Sequence, residues 1–163
     1  MSTTTAPDID PLALEQQVCF ALAVTNRAVL SIYRPLLEPL NLTHPQYLVM
    51  LTLWDHRKAS AEGDPPLSVK QIATALQLDS ATLSPMLKRL EALGYITRNR
   101  NAADERSTDV ELTKAGLALR ERALEIPPAV VAHLGVDLTE LEELRRVLTR
   151  VNNAALAAGA LNL

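Results

Sequence analysis

Cys19 is the one cysteine among 163 residues. A thiol without a second cysteine in its chain makes no internal disulfide. Two roles remain for it. It is a small buried hydrophobe, or a redox centre oxidised to a sulfenic acid. Val18 and Phe20 flank it inside an apolar amphipathic stretch, Leu12 to Ile32. The thiolate is the reactive form, and an unperturbed thiol is only a few per cent ionised at neutral pH. Something must stabilise the anion, and Tyr33 and His44 are the candidates. Tyr33 lies fourteen residues beyond Cys19, nearly four helical turns. One straight helix cannot join the two side chains, so contact needs the same helix of a second copy. His44 opens a second helix, whose N-terminus favours negative charge. Phe20, Tyr47, Leu48 and Trp54 would line an apolar pocket near the thiol. His44, His56 and His133 are too scattered in sequence for a metal site, and no cofactor is expected.

A second group of side chains has a different chemistry. Ser80, Thr82, Ser84, Lys88 and Arg89 carry hydroxyls and cations suited to phosphates and base edges. Pro85 falls among them and removes one helical hydrogen bond. Further on come Arg98, Arg100 and the run Asp104-Glu105-Arg106. An arginine at a hairpin tip can enter the narrow minor groove of DNA, and Asp104 is close enough in sequence to hold its guanidinium. The competing reading of these residues is a solvated hairpin beside a structural helix pair. Between residues 67 and 114, seven cations face six carboxylates. DNA contact would therefore rest on a few placed cations. The whole-chain charge of −3 argues against indiscriminate nucleic-acid binding.

These groups need elements to position them. The composition, 48% hydrophobic and 21% charged, is that of a globular fold, and the length fits one domain. Leucine and alanine dominate, so the fold is expected to be mostly α-helical with one small β-wing. Asp10-Pro11 predicts a cap and first turn for a long helix that Pro35 and Pro39 end. Thr43-His44-Pro45-Gln46 is a capping box for a helix to about Trp54 or His56. Residues 59–66 are a breaker-rich loop, read as a surface insertion. Ser68 to Gln71 is a second capping box and opens a helix to about Leu76. Asp79 or Ser80 caps the next helix, which ends at Gly94, with Leu83, Leu87 and Leu90 on its inner face. Strands are expected at Tyr95–Arg100 and Arg106–Leu112. Thr113 caps a helix to about Glu125, which Pro127-Pro128 breaks or bends. Asp137 to Glu140 is a third capping box, opening a last helix to about Ala158. Two short helices, a tight turn and a hairpin form a winged helix-turn-helix. The first and last helices are apolar on faces that the chain alone does not cover, which predicts a homodimer. There is no secretory signal and no membrane-spanning run, so a cytoplasmic location is expected.

The segments Leu78 to Glu91, Gly94 to Arg98, Asp104 to Ser107 and Leu112-Thr113 resemble the MarR family of dimeric winged-helix regulators. The resemblance covers about residues 10–160. Val18 to Leu22, Tyr33 to Leu37 and Leu42 to Leu48 are similar to its organic-hydroperoxide sensor subgroup, OhrR. It implies a reduced dimer that holds a palindromic operator and is released when an organic hydroperoxide oxidises Cys19. It also implies that Tyr33 hydrogen-bonds the cysteine, that Arg106 enters the minor groove and that Asp104 is its partner. A second cysteine-bonding tyrosine of that subgroup falls on His44 here. With no resolving cysteine, a small-molecule thiol would form the mixed disulfide. The resemblance divides the single domain into a helical dimerisation region, 10–58 and 113–160, and a DNA-reading region, 67–112. Three other functions compete: a repressor released by a phenolic ligand, a thiol peroxidase, and a helical dimerisation protein that does not bind DNA. The scarcity of arginine near Cys19, where only Arg27 is close in sequence, speaks against the peroxidase.

Overall fold

Asp10 caps a turn rather than the first long helix. Its carboxylate accepts from the Leu12 backbone N–H, and a short 3-10 turn follows at Leu14–Gln16. The computed structural model describes residues 10–161. Helix α1 is Val18–Leu37, and Pro35 sits inside it. A proline in the last turn leaves most of the helix ladder intact, so it does not end the helix. A second 3-10 turn, Glu38–Leu40, leads through Asn41, whose φ of 55° is left-handed, to α2, His44–Ala59. The capping box at Thr43 and Gln46 forms in both directions.

After the 60–66 loop, Leu67–Ser68 makes β1, a strand too short to announce itself in the sequence. The remaining elements are α3 Val69–Leu76, α4 Ser80–Ala92, β2 Ile96–Arg100, β3 Thr108–Leu112, α5 Lys114–Ala123, α6 Ile126–Leu134 and α7 Leu138–Ala157. The antiparallel sheet has the order β1-β3-β2, with Arg98 opposite Val110 on the β2–β3 ladder. Pro127-Pro128 opens α6 instead of merely bending a longer helix, because proline is tolerated where helix N–H groups have no partner. The Asp137 side chain accepts from Thr139 N–H, so it caps α7, but the reciprocal bond from Glu140 that the capping box predicted is not formed.

The core lies where α2, α3, α4 and the sheet meet. Val49, Met50, Ile72, Leu83, Leu87 and Leu90 are fully enclosed there. The Trp54 indole N–H donates to the Gly116 carbonyl at 2.9 Å, tying α2 to α5. A Cβ on Gly116 would overlap the Tyr95 carbonyl oxygen, so only glycine lets α5 approach the base of β2 this closely. The Tyr95 hydroxyl donates to the Leu40 carbonyl at 3.0 Å.

Two helical surfaces stay outside this core. Leu37 is the only buried residue of α1, at its C-terminal end, and α7 buries none. Among the described residues, no helix is long and apolar enough to cross a membrane.

Candidate nucleic-acid interface and thiol site

The reading head is built by caps and a tight turn. Ser68 and Gln71 cap α3 reciprocally, at 3.1 and 2.8 Å. Gln77 ends α3 in the left-handed region, φ 54°, and turns the chain into α4. Asp79 caps α4, accepting from Thr82 N at 2.6 Å and from the Thr82 hydroxyl at 3.0 Å. These bonds, with the backbone donor first, hold the Asp79 carboxyl below its usual range. Leu83, Leu87 and Leu90 anchor the inner face of α4. Ser80, Thr82, Ser84, Pro85, Lys88 and Arg89 are all exposed on the outer side. Pro85 occupies the second turn, where it removes one bond from a helix that Asp79 has already capped.

The wing tip is made by side chains. The Asn101 amide oxygen accepts from Ala103 and Asp104 N–H groups at 2.8 and 3.0 Å, and its amide nitrogen donates to Asp109 at 2.9 Å. Asp104 accepts from the backbone N–H of Arg106 at 3.0 Å. The expected grip of Asp104 on the Arg106 guanidinium is therefore corrected: the carboxylate shapes the turn, and the guanidinium stays exposed. Asn101 was invisible as a builder because one asparagine in a polar tip carries no pattern. Arg100 is also exposed. Arg98 departs from the expected row of outward cations. It turns back to Glu91 on α4, with Nη2 at 2.8 Å from Oε2.

Among the described residues, then, exposed hydroxyls and cations lie on a braced helix beside a hairpin with an exposed tip arginine. The family model for the transcriptional regulator SarA/Rot matches residues 31–122. The organic hydroperoxide resistance transcriptional regulator of Bacillus subtilis (strain 168) is 43% identical over 138 residues, 85% of this chain and 86% of that protein. This chain belongs to the MarR family of winged-helix transcriptional regulators. It is a regulator and not an enzyme. Among solved structures, reduced AbfR bound to DNA is similar with a TM-score of 0.73 at 31% identity, covering 89% of this chain and 94% of that one. AbfR comes from Staphylococcus epidermidis. The disulfide-formed AbfR structure is similar with a TM-score of 0.57 at 32% identity, covering 89% and 91%.

In this MarR-family fold, Cys19 lies in the first turn of α1 and is exposed, so it is no core residue of its own chain. Phe20 beside it is half-buried. Tyr33, His44 and Tyr47 form one aromatic cluster where α1 meets α2. The Tyr33 and His44 rings meet edge-on at 4.8 Å, and Tyr47 lies 6.0 Å from Tyr33 and 6.3 Å from His44. Burial raises the Tyr33 and Tyr47 phenols above their ordinary value, so both keep their protons as donors. Burial lowers His44, which leaves its imidazole neutral at pH 7. At about 1.5 Å per residue, Cys19 and Tyr33 are separated by roughly 21 Å along α1. Trp54 corrects the expected pocket: its indole is spent on the core, at the bond to Gly116.

Proposed function

We propose that this regulator is a one-cysteine redox repressor, which binds operator DNA when Cys19 is reduced and releases it when an organic hydroperoxide oxidises Cys19. The observation that carries the reading is an exposed thiol on a half-helix that its own chain leaves uncovered. The relatedness to the Bacillus subtilis hydroperoxide-resistance regulator supports it. So does the similarity to AbfR, which has been solved reduced on DNA and in a disulfide form.

In this reading residues 10–58 and 113–160 pair two copies, and residues 67–112 read DNA. Val18 and Leu22 on α1, with Leu144, Leu148 and Val151 on α7, supply the exposed apolar stripe. The α7 positions recur at i, i+4 and i+7, one helical face. Two α1 helices crossing antiparallel bring Cys19 of one subunit to the Tyr33 cluster of the partner subunit. Tyr33 donates to the thiolate there, and neutral His44 adds a second polar group. The thiolate attacks the distal peroxide oxygen, the O–O bond breaks, and the alkoxide takes a proton and leaves as the alcohol. A small-molecule thiol then condenses with the sulfenic acid, forming a mixed disulfide and water. Added bulk in a packed interface costs about 1–3 kcal/mol, and each 1.4 kcal/mol is about tenfold in affinity. Ser80, Thr82, Ser84, Pro85, Lys88 and Arg89 meet the major groove, Arg100 a phosphate and Arg106 the minor groove, on the two halves of a palindrome.

The test is binding to a duplex from upstream of the protein's own gene, with and without cumene hydroperoxide, for wild type and Cys19→Ser. Release of the wild type alone is expected. Equal binding of both with no release would overturn the redox reading and turn the search to a small ligand. No binding by either would overturn the operator reading.

A further inference from the structure

Arg98 is the cation of the reading region that the chain keeps for itself, and Glu91 keeps it. Glu91 uses both carboxylate oxygens. Oε1 accepts from the Arg98 backbone N–H at 3.2 Å, and Oε2 accepts from Nε at 3.2 Å and Nη2 at 2.8 Å. Strand β2 is an outer strand of the sheet, so this N–H has no neighbouring strand to receive it. The carboxylate takes that place. The hydrogen bonds from the Arg98 guanidinium, above all, hold Glu91 below the usual carboxylate range.

The geometry gives the pair a purpose. The chain passes from α4 to β2 through Leu93, Gly94 and Tyr95, with Gly94 at φ 79°. That turn determines where the wing begins. A second point on the strand is needed to set where it aims, and Glu91 grips β2 two residues past its start. The tip lies about five residues beyond Arg98, roughly 15 Å at 3.3 Å per residue. A tilt of about 10° at the base would move the tip about 2–3 Å over that strand length, enough to lose a groove contact.

We infer that Glu91 is a positioning residue for DNA binding: through Arg98 it locks the wing at the angle that lets α4 and Arg106 engage one duplex together. This rests on the assignment of α4 and the wing to DNA under Proposed function. Two linked binding elements gain affinity only while their geometry allows both to engage. The inference opposes simple charge counting. Removing a carboxylate from a DNA-facing region should tighten binding to a polyanion, whereas removing a brace weakens it.

The experiment measures affinity of the reduced full-length protein for the same upstream duplex in wild type, E91Q, R98K, R106A and the E91Q/R106A double variant. Thermal melting of each serves as a folding control. E91Q and R98K are expected to weaken binding about tenfold, because lost geometry removes the gain of joint engagement. In the R106A background E91Q should cost much less, because the wing contact is already gone. Unchanged or tighter binding by E91Q, with R106A weakened, overturns the brace alone. Equal loss from E91Q in both backgrounds overturns it as well, since the effect then bypasses the wing. A silent R106A overturns the minor-groove assignment, and the brace falls with it.

Discussion

The Trp54 indole donates to the carbonyl of Gly116, sixty-two residues away, and that glycine lies against the Tyr95 carbonyl at the base of the wing. One buried hydrogen bond and one missing side chain thus join α2, α5 and β2. The wing stands on this joint. Thr113 reinforces it, donating to the Gly94 carbonyl at 2.6 Å while capping α5 through Gly116 N–H at 3.0 Å.

Gly116→Ala should lower the melting temperature. The added methyl meets backbone rather than a flexible side chain, and overpacking costs about 1–3 kcal/mol. For a chain of this size each kcal/mol is about 2–4 °C. Calorimetry of the two proteins decides it; an unchanged melting temperature would mean the joint yields without strain.

Leu144→Asp with Val151→Asp should give a monomer by sedimentation at micromolar concentration. Both side chains are exposed on a helix with no buried residue. Charges introduced there cost the folded chain little and leave an apolar interface desolvating unpaired carboxylates. A double variant that remains dimeric would remove α7 from the interface.

Tyr33→Phe should slow oxidation of Cys19 by about tenfold, equivalent to about 1.4 kcal/mol of lost hydrogen bonding in the reaction. Affinity of the reduced protein for DNA should not change. Mass spectrometry of trapped sulfenic acid against time gives the rate, and an unaltered rate would exclude Tyr33 as the donor.

Stability should fall as pH drops below about 6.5, the ordinary histidine value, because His44 is depressed by burial in the fold. Between its folded and unfolded pKa the unfolded chain binds the extra proton, so stability rises with pH across that window. His44→Phe should flatten this part of a melting-temperature profile between pH 5 and 8. A profile unchanged by the substitution would place the acid sensitivity elsewhere.

Arg106→Ala should weaken operator binding by about 1–3 kcal/mol, and Arg100→Ala should reduce the salt slope by about one counterion. Titrations at several salt concentrations separate the two effects. Salt slopes and affinities equal to wild type in both would argue for a merely solvated surface.

The capped reading head was legible in the sequence because its signals are local. Ser68 with Gln71, Asp79 before α4 and Thr113 before α5 act within three residues, and Leu83, Leu87 and Leu90 recur with the helical period. Cys19, Tyr33 and His44 were singled out by residue type together with the family resemblance; the structure places Tyr33 against His44 and leaves Cys19 exposed at the far end of α1. Proline was misleading where position mattered: Pro35 stays inside α1, and Pro127-Pro128 begins α6. What only the tertiary structure decided are contacts between residues far apart in the chain. Trp54 went to the core, Tyr95 reached Leu40, and Arg98 turned to Glu91 instead of outward. A sequence states that a guanidinium or an indole N–H needs a partner. Which partner it finds depends on how the elements pack, because a hydrogen bond acts only over about 3 Å.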